Sequence, residues 1–190
     1  MSSEKVQHDN EIKKWVIESE TDLLDTPIFQ ITKRHCRPPD DGGDSDFYII
    51  NAPNWVNVIA RTSNDEVILV RQYRFGIDEI SLEIPGGVVD PEDNNPLNTA
   101  KRELQEETGF VSDDWKLLGS VSTNPAIFTN YCYMYFADNC VLEHEQNLDP
   151  HERIQVELLS MQDVKKGLKT GLIHHSLVVA AFAQYLIHFD

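Results

Sequence analysis

Basic residues are in short supply in this chain: 16 Lys and Arg stand against 32 Asp and Glu, a formal net charge of -16. That shortage excludes nucleic acid as a partner, because binding a polyanion relies on clustered Lys and Arg that displace counterions. Cysteine is scarce too. Cys36, Cys132 and Cys140 are odd in number and show no metal-ligand spacing, so they read as reduced, buried thiols of an intracellular protein. No apolar run approaches the roughly 18 residues of a membrane span, and the opening MSSEKVQHDNEIKK lacks the apolar segment of a secretory leader. The expectation is a cytoplasmic chain with no membrane partner. Internal repeats and long low-complexity tracts are also missing. What remains is 190 residues, enough for one domain with a substantial core and a small N-terminal appendage.

Residues 1 to about 14 read as a polar lead. Trp15 to Arg34 then alternates apolar and polar residues and predicts strands broken at Asp25-Thr26-Pro27. The Pro and Gly of Pro38-Pro39-Asp40-Asp41-Gly42-Gly43-Asp44 predict a loop between two strands. Phe47–Ile50, Trp55–Arg61 and Val67–Gln72 are rich in β-branched and aromatic residues, and Ser63-Asn64-Asp65 makes the last two a hairpin. Another strand, Ile80–Ile84, runs into Pro85-Gly86-Gly87. The period then changes. Asn95 is a good N-cap, Pro96 suits a first helical turn, Leu97, Ala100 and Leu104 recur at helical spacing, and Gly109 closes the helix. Strands are expected again at 115–121, 130–137 and 154–160, followed by helices over 162–169 and 175–189 separated by Gly171.

The helix from Asn95 carries the chemistry. Glu103 and Glu107 are four apart and Glu106 is three from Glu103, so the three carboxylates leave neighbouring positions on one side. Like charges this close weaken a helix by roughly a few tenths of a kcal/mol per pair. Arg102 offsets part of that, and a hard cation such as Mg²⁺ is the natural remainder. A solvated acidic face is the plainer alternative. The turn Pro85-Gly86-Gly87 argues for the ion, since glycine lets backbone approach a ligand and frees a carbonyl to face a metal.

With that turn included, the residues resemble a known family. Gly87, the acidic turn Asp90-Pro91-Glu92-Asp93, and RELQEETGF over 102–110 look like the Nudix hydrolase signature: G, five residues, E, seven residues, then R-E-apolar-x-E-E-x-G-apolar. The second half matches in full. In the first half Asp93 stands where the family has Glu, and one residue is inserted, most simply in Asn94-Asn95. The family's first Glu supports the loop and contacts the Arg, a task open to Asp93 or Glu92. The likeness covers most of residues 55–185. Trp55-Val56-Asn57-Val58, Arg71-Gln72-Tyr73-Arg74, Ser81 to Gly87 and Asn124-Pro125-Ala126 look like the branch that cleaves ADP-ribose and nucleoside diphosphate sugars.

This resemblance implies an α/β fold, an α/β/α sandwich around a mixed sheet, with residues 1–50 as a small N-terminal β-sheet that dimerises and 51–190 as the hydrolase domain. It implies Mg²⁺, with Mn²⁺ as a substitute, held by Glu103, Glu107 and the Gly86 carbonyl, with Glu106 ligating or orienting it. It also implies Glu152 as the base that activates water, with Glu143 and Glu145 as second choices; an ordinary surface acid is the alternative for Glu152. The bound cation would then mediate between an acidic protein and an acidic substrate. Glu83 and Asn124 fall in the resembling segments and are expected beside the substrate. Arg71 and Arg74 are either phosphate contacts or structural ion-pair partners. Trp55 and Phe47 either stack on a base or belong to the core. The implied reaction is hydrolysis of the diphosphate of ADP-ribose or a nucleoside diphosphate sugar by a homodimer. A catalytically silent nucleotide-binding regulator is the alternative, against which the intact Glu103, Glu106 and Glu107 argue.

Overall fold

The computed structural model describes residues 12–93 and 95–189. Most of the polar lead, and Asn94 of the inserted pair, lie outside the described residues. The chain forms two compact units, one up to Ala52 together with Ala126–Thr129, the other Pro53–Pro125 and Asn130 onward.

The first unit is an antiparallel sheet of β1 (Val16–Asp25), β2 (Gln30–Arg37) and β3 (Ser45–Asn51), in that order. Its first turn forms where Asp25-Thr26-Pro27 predicts it. The Thr26 hydroxyl accepts from Phe29 N at 3.0 Å and Thr26 N donates to Phe29 O at 3.0 Å, so the chain reverses with its polar groups satisfied. The loop over 38–44 joins β2 to β3, as expected. Ala126–Thr129 lies along β3, with Ile50 N donating to Ile127 O at 2.7 Å and Thr129 N to Ile50 O at 3.2 Å.

The second unit opens with β4 (Trp55–Thr62), β5 (Glu66–Arg74) and β6 (Glu79–Glu83). Then come α1 (Pro96–Thr108), β7 (Phe110–Val111), β8 (Asp114–Ser122), β9 (Tyr131–Leu142), β10 (Ile154–Ser160), α2 (Met161–Thr170) and α3 (Ser176–Phe189). Seven strands form one sheet in the order β10-β5-β4-β9-β7, with β6 added to β5 and β8 to β9. β4 and β9 run parallel and the other pairs antiparallel, the mixed sheet the resemblance implies. Arg61 of β4 forks onto Asp138 of β9 at 2.9 and 2.8 Å across that parallel pair, 77 residues away in sequence.

Strand alternation sorts the core into two layers. Val56, Val58, Ala60 and Ile68 face α1 through Ala100 and Leu104. Ile59, Val67 and Leu69 face the other way, onto Val164 of α2 and Val178, Ala181 and Phe182 of α3. The unit is an α/β/α sandwich. The strand β7 has two residues, too few for a period of two to show in sequence.

Candidate active site

The geometry begins with the two ends of α1. Asn95 Oδ1 accepts from Asn98 N at 3.1 Å and Pro96 occupies the first turn, so the helix starts where the sequence predicts. Gly109 ends it at φ 76°, a left-handed conformation, and donates to Gln105 O at 2.8 Å. A Cβ on Gly109 would also strike the His144 carbonyl. Residues 143–147 come this close because they cap the helix. Glu143 N and His144 N reach Gly109 O at 3.2 and 3.1 Å, Asn147 N reaches Glu106 O at 2.9 Å, and Gln146 Nε2 reaches Glu107 O at 2.6 Å. These are carbonyls that a helix end leaves without internal partners.

The turn after β6 supplies the second wall. Pro85 O and Gly87 O accept from Val58 N at 2.8 Å and Val56 N at 2.9 Å, so residues 85 and 87 pair with β4. In extended backbone the N–H and C=O of one residue share a side and alternate with their neighbours, which turns the Gly86 peptide toward α1. There Gly86 N donates to Glu107 Oε2 at 3.0 Å. A Cβ on Gly86 would strike Val56 O, and one on Gly87 would strike the Glu103 carboxylate. Both glycines are therefore demanded by close approach.

Glu103 and Glu107 thus close on the Gly86-Gly87 turn from one face of α1. Glu107 is 3% exposed. Burial pushes its carboxyl well above the usual carboxylate range, Glu103 adds to this, and the Gly86 N–H only partly opposes it. Glu103 is pushed up to about 7, first by burial, with Arg102 opposing and Glu106 and Glu152 reinforcing. Arg102 is the local counter-charge: its Nη1 lies 3.0 Å from both Glu103 Oε1 and Glu106 Oε2, and its Nη2 lies 3.0 Å from Asp93 and 3.2 Å from Asp90. Asp93 rather than Glu92 therefore meets the arginine, and Asp93 also accepts from Thr99 Oγ1 at 2.9 Å. The inserted residue leaves this support in place.

One guanidinium cannot neutralise the set, and a buried carboxylate lacking a cation is costly. A hard divalent ion fits this donor set of carboxylates beside a peptide carbonyl. Glu103 and Glu107 beside Gly86 are the candidate groups; Glu106 is held by Arg102 at 3.0 Å and does not gather with them into one tight ligand set, and among the described residues the side chains that do converge so closely are Glu18, His35 and Asp44 of the first unit.

Glu152 sits in a turn before β10, half-buried, with its backbone N donating to Asp149 O at 2.9 Å. It lines a cleft of about 630 Å³ with Arg74, Phe75, Ile77 and His175, and its charge is felt by Glu103, Glu107 and Arg74. Glu143 and Glu145 are exposed and belong to the segment capping α1, and Glu143 lines a different hollow with Asp113 and Asp138.

Arg71 and Arg74 part company. They are three apart on β5, so they face opposite sides of the sheet. Arg71 pairs with Glu157 on β10, on the side of Leu69. Arg74 forks onto Glu83 at 2.8 and 2.7 Å in the cleft. Burial raises the Glu83 carboxyl, but the Arg74 fork outweighs it and holds the group below its ordinary range. His175 Nε2 lies 4.0 Å from Glu83, and burial, opposed by the Glu83 charge, lowers the imidazole below its ordinary range. No sequence pattern singled out His175 or Gln146. Trp55 begins β4 beside Cys132 and bridges Val88, next to the glycine turn. Asn124 is exposed in the turn leaving β8. Phe47 lies in the first unit, edge-on to Trp15 at 5.3 Å.

The family described as the NUDIX domain matches residues 53–181, and the chain belongs to it: it is a Nudix hydrolase. A methanol dehydrogenase activator of Bacillus methanolicus is 29% identical over 90% of this chain and 85% of its own. An ADP-ribose pyrophosphatase of Bacillus subtilis (strain 168) is 29% identical, covering 73% and 74%. A crystal structure of an ADP compounds hydrolase superposes with a TM-score of 0.81 at 20% identity, covering 94% of this chain and 95% of that one, and so shares its fold.

Proposed function

We propose that this hydrolase cleaves the diphosphate of ADP-ribose or a nucleoside diphosphate sugar, giving a nucleoside monophosphate and a sugar phosphate. The observation that carries the reading is the pair of carboxylates, Glu107 buried and Glu103 partly so, pressed against the Gly86-Gly87 turn with desolvation holding their pKa values up. Mg²⁺, or Mn²⁺ in its place, is the proposed ion: Glu103, Glu107 and the Gly86 carbonyl would hold it, Glu106 would ligate or orient it, and it would supply positive charge against the charge developing on the diphosphate. Glu152 takes a proton from the attacking water, whose oxygen forms the new P–O bond as the P–O–P bridge breaks. Arg74 presents its outer N–H groups to substrate from the cleft while Glu83 fixes the guanidinium plane. Arg71, tied to Glu157, serves the sheet. Trp55 and Asn124 border the substrate.

Similarity to the pyrophosphatase of Bacillus subtilis supports this substrate class. Exposed Trp15, Val16, Ile17, Leu23 and Leu24 on the N-terminal sheet support a homodimer contact there. Three free, buried thiols support a reducing, cytoplasmic setting, and among the described residues no helix is long and apolar enough to cross a membrane. The likeness to a protein named as an activator leaves room for a regulatory role alongside hydrolysis.

The test is a panel of ADP-ribose, ADP-glucose, UDP-glucose and GDP-mannose, with Mg²⁺ and with chelator. The expected result is release of a nucleoside monophosphate from at least one member, only with the ion. Folded protein that binds nucleotide yet turns over no member would sink the reading.

A further inference from the structure

The segment that caps α1 does more than finish a helix. Gln146 offers two amide hydrogens on one nitrogen, and that nitrogen lies 2.6 Å from Glu107 O and 3.4 Å from Ile154 O. The first carbonyl belongs to a carboxylate-bearing residue of the metal helix. The second opens β10, two residues beyond Glu152. Asn147 N holds Glu106 O at 2.9 Å beside it. Two pieces that approach from different parts of the chain, the helix bearing Glu103 and Glu107 and the first residue of the strand that follows Glu152, thus share a single side-chain amide.

We infer that Gln146 is a positioning residue that sets where Glu152 stands relative to the Glu103–Glu107 cluster. The inference rests on the proposed roles of those glutamates. The geometry explains why a glutamine suits the place. Its reach spans the gap between the two carbonyls, and both targets are acceptors, so only a group with two donors serves both. Glutamate would set a carboxylate against two carbonyl oxygens, and methionine would match the length with no donor. Since a misplacement of about 1 Å costs roughly a hundredfold in a well-ordered site, loosening one of several ties should cost less than that.

The experiment is a double-mutant cycle on the full-length protein, crossing Gln146→Met with Glu152→Gln, read as kcat and KM on the best substrate of the panel. Glu152→Gln alone reports on the base: wild-type kcat there would overturn the role of Glu152, whatever Gln146 does. If Glu152 is the base, Gln146→Met is expected to lower kcat about tenfold with KM unchanged. It should lower the residual rate of Glu152→Gln by less than twofold, and Gln146→Glu should lower kcat further. Mn²⁺ titration of Gln146→Met should match wild type, showing an intact metal helix. Equal losses in both backgrounds, or a lowered melting temperature with wild-type kcat, would overturn the positioning role and leave Gln146 as a helix cap alone.

Discussion

Burial makes Glu107 costly to the fold while the proposed chemistry needs it, and a single substitution separates the two. Glu107→Gln keeps the shape and can still accept the Gly86 N–H, but removes a buried charge. Turnover should fall by at least about a hundredfold, since even groups behind metal ligands cost ten- to a hundredfold. Ion-free thermal stability should hold or rise, by the trade-off common at functional sites. A melting curve and a rate measurement check both halves, and near-wild-type activity would remove the metal assignment. Glu103 and Glu107 are both raised, so both add pH dependence of the same sign, and Glu103 shows its window. Its carboxyl is pushed up from 4.5 to about 7, so between these values the folded protein holds a proton that the unfolded chain releases. Stability from this group is therefore full below about pH 4.5 and lost as pH rises through about 7. A divalent ion binds the deprotonated form. Added Mg²⁺ should consequently raise the melting temperature more at pH 8 than at pH 6, and equal shifts at both would contradict it.

At the scale of elements, the ends of α1 were legible because capping is local: Asn95, Pro96 and Gly109 each act within one turn of their own position. Asn95→Ala should cost about 1 kcal/mol in chemical denaturation. Gly109→Ala should cost more than that, because it combines a left-handed φ with collision against the His144 carbonyl. What sequence left dark was non-local. Arg71 and Arg74 look like equals in Arg-Gln-Tyr-Arg, and strand alternation alone separates them, a signal that spacing held and that only register makes decisive. Their partners, Glu157 and Glu83, come from different strands and no local pattern couples them. The choice of Asp93 over Glu92 depended on how a loop with an inserted residue turns, and Gln146 finds its carbonyls across the tertiary fold. Glu103 and Glu107 are adjacent for the opposite reason, since a spacing of four sets them on one helix face.

For the whole molecule, the net charge of -16 has a kinetic consequence. The proposed substrate and the protein are both anionic, so long-range repulsion should slow encounter and salt should screen it. At saturating Mg²⁺, kcat/KM should rise a few-fold between low and physiological ionic strength, the reverse of a site that attracts its substrate by net charge. A flat or falling dependence would show that local positive groups such as Arg74 dominate the field.

The parallel pairing of β4 with β9 bears on how the enzyme comes into being. Arg61 and Asp138, 77 positions apart, clamp that pair, and the glycine turn and the whole of α1 lie within the span they enclose. A chain leaving the ribosome has therefore made each of the proposed metal ligands before β9, the parallel partner of β4, exists, and Glu152 emerges later still. Local structure such as α1 can form early, but contacts of this separation form late and slowly. On the proposed roles, the base is thus among the last groups of the site to be placed.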